Sequence, residues 1–154
     1  LLWNDTVENN IRYGRLDADF AEIIEVSKIC GVDDFIGELP DGYQSIIGDN
    51  ACKLSEGQKQ KIASARALIR NPKLLILDEA MSSMDSASEE KIVRNIKEKA
   101  EILTIIIVSH RLSTVMSADL IYFLKGPNEM MVGTGKELLR NSGEFYGLFA
   151  GQIV

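Results

Sequence analysis

Two adjacent acids, Asp78 and Glu79, follow a short apolar run at residues 74–77 in this chain of 154 residues. A run without alternation and with turn signals on both sides predicts a strand buried on both faces, as in parallel sheets. Ligands of open parallel sheets gather at the carboxyl ends of strands. Two acids at such an end suit phosphoryl transfer, because one can hold Mg²⁺ while the other orients or deprotonates a water.

The chain contains one histidine, His110, directly after a β-branched run at residues 104–108 that predicts a second buried strand. A lone histidine is more often a packed or surface residue than a catalyst. Here it is expected at the same sheet end as Asp78 and Glu79. One histidine without a cysteine cluster does not favour a zinc site.

A third set of candidate residues lies at a predicted helix start. Ser55 is a good N-cap and Gln58 stands three residues later, which is a capping-box arrangement. Apolar residues then recur at helical spacing: Ile62, Ala65 and Ile69. Pro72 ends the helix and moves Asn71 out of the helical region. The unsatisfied N–H groups of a helix start, here near Gly57, are natural partners of a phosphate.

These segments, in this order and spacing, resemble the nucleotide-binding domain of ATP-binding cassette (ABC) transporters. Residues 54–58 resemble the signature motif, with Glu56 where glycine is usual. Residues 74–79 resemble the Walker B strand with its following glutamate. Residues 82–85 resemble the D-loop, with Ser83 and Met84 in place of the commoner alanine and leucine. Three motifs in order are far more specific than a lone strand that ends in Asp-Glu.

The resemblance implies a role for each candidate residue. Asp78 would hold Mg²⁺ through water, and Glu79 would act as general base or position the attacking water. His110 would be the switch histidine, which contacts the γ-phosphate. Four residues would contact ATP, by resemblance across a head-to-tail dimer: Ser55, Gly57, Gln58 and Asp85.

The predicted fold class is α/β, a P-loop NTPase-like parallel sheet that is incomplete, with a helical signature subdomain. The alternation of strands and helices predicts a parallel sheet independently of the resemblance. Residues 1–70 are expected to form the helical subdomain, and residues 71–154 the C-terminal part of the RecA-like α/β ATPase core.

Local signals predict further elements. Asp17 is expected to cap a helix that ends at Gly31, and Ser86 or Ser88 to cap another helix. Three segments predict strands, the last two joined as a hairpin: residues 104–108, 120–124 and 130–132. Closing helices are expected at residues 136–140 and 144–150.

A phosphate-binding P-loop requires the pattern G-x-x-x-x-G-K-[ST]. The only Gly-Lys pair is at residues 135–136, where Met130 and Glu137 break that pattern. The family's Q-loop glutamine is not found either. The sequence therefore resembles the C-terminal two-thirds of a cassette, and the chain by itself is predicted to be inactive.

The composition of the chain limits the kinds of partner and site that it can have. The net charge of −6 argues against a nucleic-acid partner bound by counterion release. No apolar run approaches the ~18 residues of a membrane span. Two cysteines, Cys30 and Cys52, show no metal or disulfide spacing and are expected to be reduced thiols.

The main hypothesis is the C-terminal part of the ATPase domain of an ABC exporter, which uses ATP and Mg²⁺. Its expected partners are a second nucleotide-binding domain and the transporter's transmembrane domain, at the cytoplasmic face of the cell membrane. Two alternatives are a soluble non-transport ABC ATPase and a non-enzymatic ABC-fold interaction module. The exporter-like segments at residues 6–14 and 40–48 speak against the first alternative, and the intact Glu79 and His110 speak against the second.

Overall fold

The computed structural model describes residues 2–48, 52–79, 81–99 and 103–152. Within those ranges the chain forms eight α-helices: α1 (Val7–Arg12), α2 (Phe20–Ile29), α3 (Asp33–Ile36), α4 (Glu56–Leu68), α5 (Ser86–Lys99), α6 (Leu112–Met116), α7 (Gly135–Asn141) and α8 (Gly143–Phe149). It also forms six strands: β1 (Asp5–Thr6), β2 (Ile46–Ile47), β3 (Leu74–Asp78), β4 (Thr104–Val108), β5 (Ile121–Gly126) and β6 (Glu129–Gly133). The strands pair as β1–β2, β3–β4 and β5–β6. The structure is thus mixed α/β with a small parallel sheet, as the sequence predicts.

The chain divides into two compact units, Leu1–Ile107 and Val108–Val154. The first holds all elements from β1 to α5 and most of β4, and the second holds the elements from α6 onward. These units reflect packing alone. The assignment of residues 1–70 to a helical subdomain and residues 71–154 to the ATPase core therefore stays a prediction.

The core of the first unit is built around α4, against which α1 and α2 pack. Ile62, Ala65 and Ile69 are each at most 1% exposed, so the predicted apolar stripe faces this core. Full burial of one isoleucine side chain contributes about 1.5–3 kcal/mol. The stripe therefore holds α4 in place far more strongly than helix propensity alone would.

Two of the long helices begin with capping boxes. The Ser55 hydroxyl accepts from Gln58 N (3.2 Å) and the Gln58 side chain accepts from Ser55 N (2.9 Å), which confirms the predicted start of α4. The predicted cap of α2 at Asp17 is wrong by two residues, because Asp19 is the N-cap. Only Asp19 has a glutamate three residues later, and Glu22 returns the hydrogen bond at 3.0 Å. The reciprocal box thus decides between two nearby aspartates.

The segment before α1 folds around Asn10, whose side chain is fully buried. Asn10 Oδ1 accepts from Trp3 N at 2.8 Å. Asn10 Nδ2 donates to Trp3 O at 3.0 Å and to Thr6 O at 2.9 Å. The Arg66 guanidinium of α4 lies 4.6 Å from the centre of the Trp3 ring. One amide side chain therefore holds a turn that α4 also contacts, and nothing in the local pattern predicts it.

The prediction that residues 74–77 and 104–108 are strands is confirmed, but the prediction that both are buried on both faces is wrong. Leu75 and Leu77 are buried in the core. Leu74 is 49% exposed and Ile76 is 59% exposed. In β4, Ile106 is 47% exposed. Side chains of a strand alternate between faces, and only one face of this strand pair meets the helices of the unit.

In the second unit, β5 and β6 form the predicted hairpin, antiparallel from Ile121↔Gly133 to Gly126↔Glu129. The core of this unit is an apolar cluster of four buried side chains: Ile121, Leu138, Phe145 and Phe149. The Phe145 ring meets the Phe149 ring edge to face, at 5.2 Å between ring centres. The closing helices α7 and α8 supply most of this cluster, close to their predicted positions.

Neither cysteine forms a disulfide. Burial raises the pKa of the Cys30 thiol to about 12, so this thiol is a structural apolar group rather than a nucleophile. Across the described residues, no helix combines the length and apolarity needed to cross a membrane.

Candidate functional site

Asp78 and Glu79 lie at the carboxyl end of β3 and both are exposed. Asp78 is the last residue of the strand. Glu79 has φ 46°, in the left-handed region that residues other than glycine rarely adopt. Such a conformation costs on the order of 1–3 kcal/mol and persists only where the surrounding structure fixes it. The chain thus turns sharply at the residue predicted to handle the attacking water.

A loop after Glu79, residues 82–85, is fixed by backbone bonds and by buried methionines. Ser82 N donates to Glu79 O at 3.0 Å, and Met84 N donates to Met81 O at 3.0 Å. Met81 and Met84 are both buried, at 3% and 6% exposed. The position of this 82–85 loop is therefore tied to the backbone of Glu79.

The N-terminus of α4 approaches the same loop closely. A Cβ added to Gly57 would lie 3.2 Å from Ser83 O and 3.6 Å from Met84 Cγ. The first distance is shorter than most real Cβ contacts, so glycine is the residue that lets the loop come this near. Glu56 instead pairs with Lys59 at 2.7 Å, and both side chains are largely exposed.

Asp85 is the N-cap of α5, so the predicted caps Ser86 and Ser88 are wrong. Ser88 N donates to Asp85 Oδ1 at 2.9 Å, and the Ser88 hydroxyl donates to Asp85 Oδ2 at 2.6 Å. The Ser88 hydroxyl, followed by backbone N–H groups, lowers the pKa of Asp85 below its usual range. Both carboxylate oxygens therefore already accept hydrogen bonds within the chain.

His110 lies in the second unit, two residues after β4 ends, and its side chain is exposed. Gln152 holds the backbone of this segment from both sides. Its Nε2 donates to His110 O at 3.2 Å, and its Oε1 accepts from Leu112 N at 2.8 Å. Sequence reasoning missed Gln152, because its partners lie about forty residues away and no local pattern marks it.

The structure thus brings some candidates together. Ser55 and Gln58 form one capping box, Gly57 meets the 82–85 loop, and that loop is bonded to Glu79. Asp78 and Glu79 are neighbours in sequence. His110 belongs to the other unit, so its expected place beside the two acids stays a prediction.

The exposed carboxylates at the end of β3 suit an Mg²⁺ ion that is bound jointly by the protein and by phosphate oxygens. Among the described residues, no three side chains of His, Cys, Asp or Glu form a group that could hold a metal ion. Mg²⁺ in nucleotide sites takes one or two carboxylates plus phosphates and waters rather than an all-protein cage. An exposed carboxylate at a strand end, such as Asp78, is a suitable ligand of this kind.

The comparison with family models decides the family. The ABC transporter model matches residues 3–82, which is 80 of the 154 residues. The chain belongs to the ABC transporter family. The matched range includes the start of α4, the Asp78-Glu79 pair and the first residue of the 82–85 loop.

Individual members of the ABC transporter family match nearly the whole chain. Human "ATP-binding cassette sub-family B member 5" is 41% identical over 154 residues, which is 100% of this chain and 12% of that protein. The "ATP-dependent lipid A-core flippase" of Legionella pneumophila (strain Paris) is 43% identical over 148 residues, 96% of this chain and 25% of that protein.

A solved structure of a bacterial Atm1-family ABC exporter with ATP bound is 38% identical, with a TM-score of 0.91. It covers 100% of this chain, and this chain covers 27% of it. The chain spans between about a tenth and a quarter of the length of the curated relatives it matches. Over its whole length, the chain is therefore similar to one part of an ABC exporter.

Proposed function

We propose that the complete protein hydrolyses ATP at a dimer interface and couples this to transport across a membrane. The observation that carries the proposal is the order of the capped helix α4, the strand β3 and the pair Asp78-Glu79 in an ABC-family chain. The uninterrupted likeness to exporters supports transport rather than a soluble ATPase or an interaction module.

In this proposal, each acid at the end of β3 has its own task. Asp78 holds Mg²⁺ through a water, and Glu79 accepts or orients a proton of the attacking water. Mg²⁺ supplies neutralisation of phosphate charge. His110 lies near the γ-phosphate and helps to hold the water. Phosphoryl transfer depends mostly on positioning and charge, so one fixed carboxylate suffices as the base.

The start of α4 serves the nucleotide of a partner domain. The Ser55 hydroxyl, the Gly57 backbone and Gln58 would face that nucleotide, because N–H groups and the helix dipole favour a phosphate. Glu56 would point away, and its ion pair with the exposed Lys59 supports this orientation. Asp85 would act across the same interface while it caps α5.

The proposal implies two partners and one location. A second nucleotide-binding domain completes each ATP site, either as an identical or a different subunit. A transmembrane domain of the same transporter uses the resulting motion. The domain would then lie at the cytoplasmic face of the cell membrane, with ATP as substrate and Mg²⁺ as cofactor and without a nucleic-acid partner.

The proposal is tested by Glu79→Gln in the full-length protein. The amide keeps the shape of the side chain and loses the basic oxygen, so turnover should fall by about 10²–10⁴ while ATP still binds. The matched control is Glu90→Gln, which makes the same change at an exposed position of α5. Unchanged ATP turnover in Glu79→Gln would remove Glu79 from the mechanism.

The partner-site assignment is tested with a mixed dimer of full-length chains. One chain carries Ser55→Arg, and the other carries a substitution of the P-loop lysine. If Ser55 acts on the partner's nucleotide, both substitutions affect the same nucleotide site. ATP-dependent closure should then persist at the other nucleotide site. Loss of closure at both sites would show that Ser55 serves its own nucleotide.

A further inference from the structure

Gln60 joins α4 to the 82–85 loop. Ser83 N donates to Gln60 Oε1 at 3.2 Å, and Gln60 Nε2 lies 3.4 Å from the Ser83 hydroxyl. Gln60 stands three residues after Gly57, so both present the same face of the helix to the loop. Gly57 provides the room for the loop, and Gln60 provides its hydrogen bonds.

The two contacts of Gln60 are unequal and separable. The bond to the backbone N–H of Ser83 is available whatever side chain residue 83 carries. The contact with the hydroxyl exists only because residue 83 is serine here rather than alanine, and at 3.4 Å it is at the long limit for a hydrogen bond. The backbone bond should therefore carry most of the link.

The loop held by Gln60 is also the loop bonded to Glu79. Ser82 N donates to Glu79 O at 3.0 Å, directly beside the residue that Gln60 holds. At its other end, the Asp85 carboxylate caps α5. Glu79 itself has the left-handed φ of 46°, which its surroundings must maintain. Gln60 is thus in a position to help maintain it, through Ser83 and the loop.

We propose that Gln60 is a positioning residue, which fixes the Glu79 carboxylate by holding Ser83 against the N-terminal turns of α4. This rests on the proposed ATPase function, in which Glu79 handles the attacking water. In this proposal, the start of α4 contacts the nucleotide of the partner domain, and Glu79 acts on the nucleotide of its own domain. Gln60 connects the two. The position of α4 is therefore linked to the backbone of Glu79 through two hydrogen bonds, Ser83 N to Gln60 Oε1 and Ser82 N to Glu79 O.

The test uses the full-length protein and measures kcat and KM for Mg-ATP together with thermal stability. Gln60→Ala should lower kcat by about tenfold, the effect of losing one hydrogen bond that holds a catalytic group. The KM for ATP should stay within about twofold, because no group that contacts ATP is removed. Gln60→Glu keeps an acceptor for Ser83 N and should restore most of kcat. Ser83→Ala removes only the weaker contact and should fall between the wild type and Gln60→Ala.

Two comparisons distinguish positioning from simple loss of stability. Glu90→Gln, at an exposed position of α5 that has no part in the proposed site, should leave kcat unchanged. In a Glu79→Gln background, single-turnover hydrolysis of radiolabelled ATP should show no further loss from Gln60→Ala, since Gln60 acts through Glu79. An equal loss in both backgrounds would overturn the inference, and so would an unchanged kcat in Gln60→Ala. A wild-type protein without ATPase activity would instead overturn the proposed function itself.

Discussion

Replacement of Asn10 by alanine should destabilise the first unit more than any surface change of the same size. Asn10 is fully buried, and its amide makes three short hydrogen bonds to the turn before α1, beside a longer one to Asp5 O at 3.3 Å. Alanine removes all three and leaves the N–H of Trp3 to find another partner, whereas the C=O of Trp3 still accepts from Asp5 N at 2.9 Å.

The magnitude follows from these contacts. A buried group left unpaired costs about 1–3 kcal/mol. The turn is near the surface, because Trp3 is 54% exposed. Water can therefore reach some of the backbone groups that lose their hydrogen bond to Asn10. The lower figure of about 1 kcal/mol for each of the three bonds gives about 3 kcal/mol. Alanine returns about 0.5 kcal/mol through its better helix propensity. The net loss in free energy of unfolding should be about 2.5 kcal/mol.

The assay is urea unfolding, followed in parallel by Trp3 fluorescence and far-ultraviolet circular dichroism. Trp3 is the only tryptophan and lies in the turn itself, so fluorescence reports the turn and dichroism reports the helices. With a slope of about 2 kcal/mol per molar urea, the midpoint should fall by about 1.2 M. Coincident transitions would show that the turn and the helices unfold together.

The matched control is the neighbouring Asn9→Ala. Asn9 Nδ2 makes one side-chain bond, to Asp5 Oδ1 at 2.9 Å, so about 0.5–1 kcal/mol should be lost. Asn10→Asp should be worse than Asn10→Ala, because a carboxylate would face the carbonyl oxygens of Trp3 and Thr6. If Asn10→Ala costs no more than Asn9→Ala, the account of the turn is refuted.

Three further predictions concern the chain by itself. It should bind Mg-ATP poorly because it contains no P-loop lysine, and micromolar binding by calorimetry would contradict this. It should self-associate through the uncovered face of β3 and β4; light scattering should show less association for Ile76→Lys, and a clean wild-type monomer at high concentration would count against the idea. The lowered pKa of Asp85 means that its carboxylate stabilises the fold above about pH 3.8, with this contribution lost as pH falls through the folded-state value. Acid unfolding of Asp85→Asn should therefore depend less on pH, and an unchanged profile would contradict the assignment.

Local signals were the most predictable part of the fold. The capping box of α4 needs only Ser55 and Gln58, three residues apart, and it forms as predicted. Asp17 alone does not predict the start of α2, because the glutamate that completes the capping box, Glu22, stands three residues after Asp19. The N-cap of α5 is hard to predict because several polar residues stand near the start of this helix. Asp85 is the N-cap, and its carboxylate accepts two hydrogen bonds from Ser88.

Nonlocal features were much less predictable. A continuous apolar run shows that a strand can be buried on both faces. It does not show whether other elements pack against both faces, and Ile76 is exposed here. The residues of the candidate site were found from spacing and resemblance. Their supports, Gln60 and Gln152, were not, because each bonds to a residue far away in sequence.

The packing of α1 and α2 on α4 has a consequence for synthesis on the ribosome. All three helices lie within the first 68 residues, so their shared core can form before β3 is made. At about 5–20 residues per second, the interval until residue 107 lasts roughly two to eight seconds. Leu75 and Leu77 share one apolar cluster with these helices, so they would then meet an apolar surface that has already formed. The apolar side chains of each new strand would then pack against the helical layer as soon as they are synthesised. This order would limit the time for which those side chains stay exposed to solvent during translation.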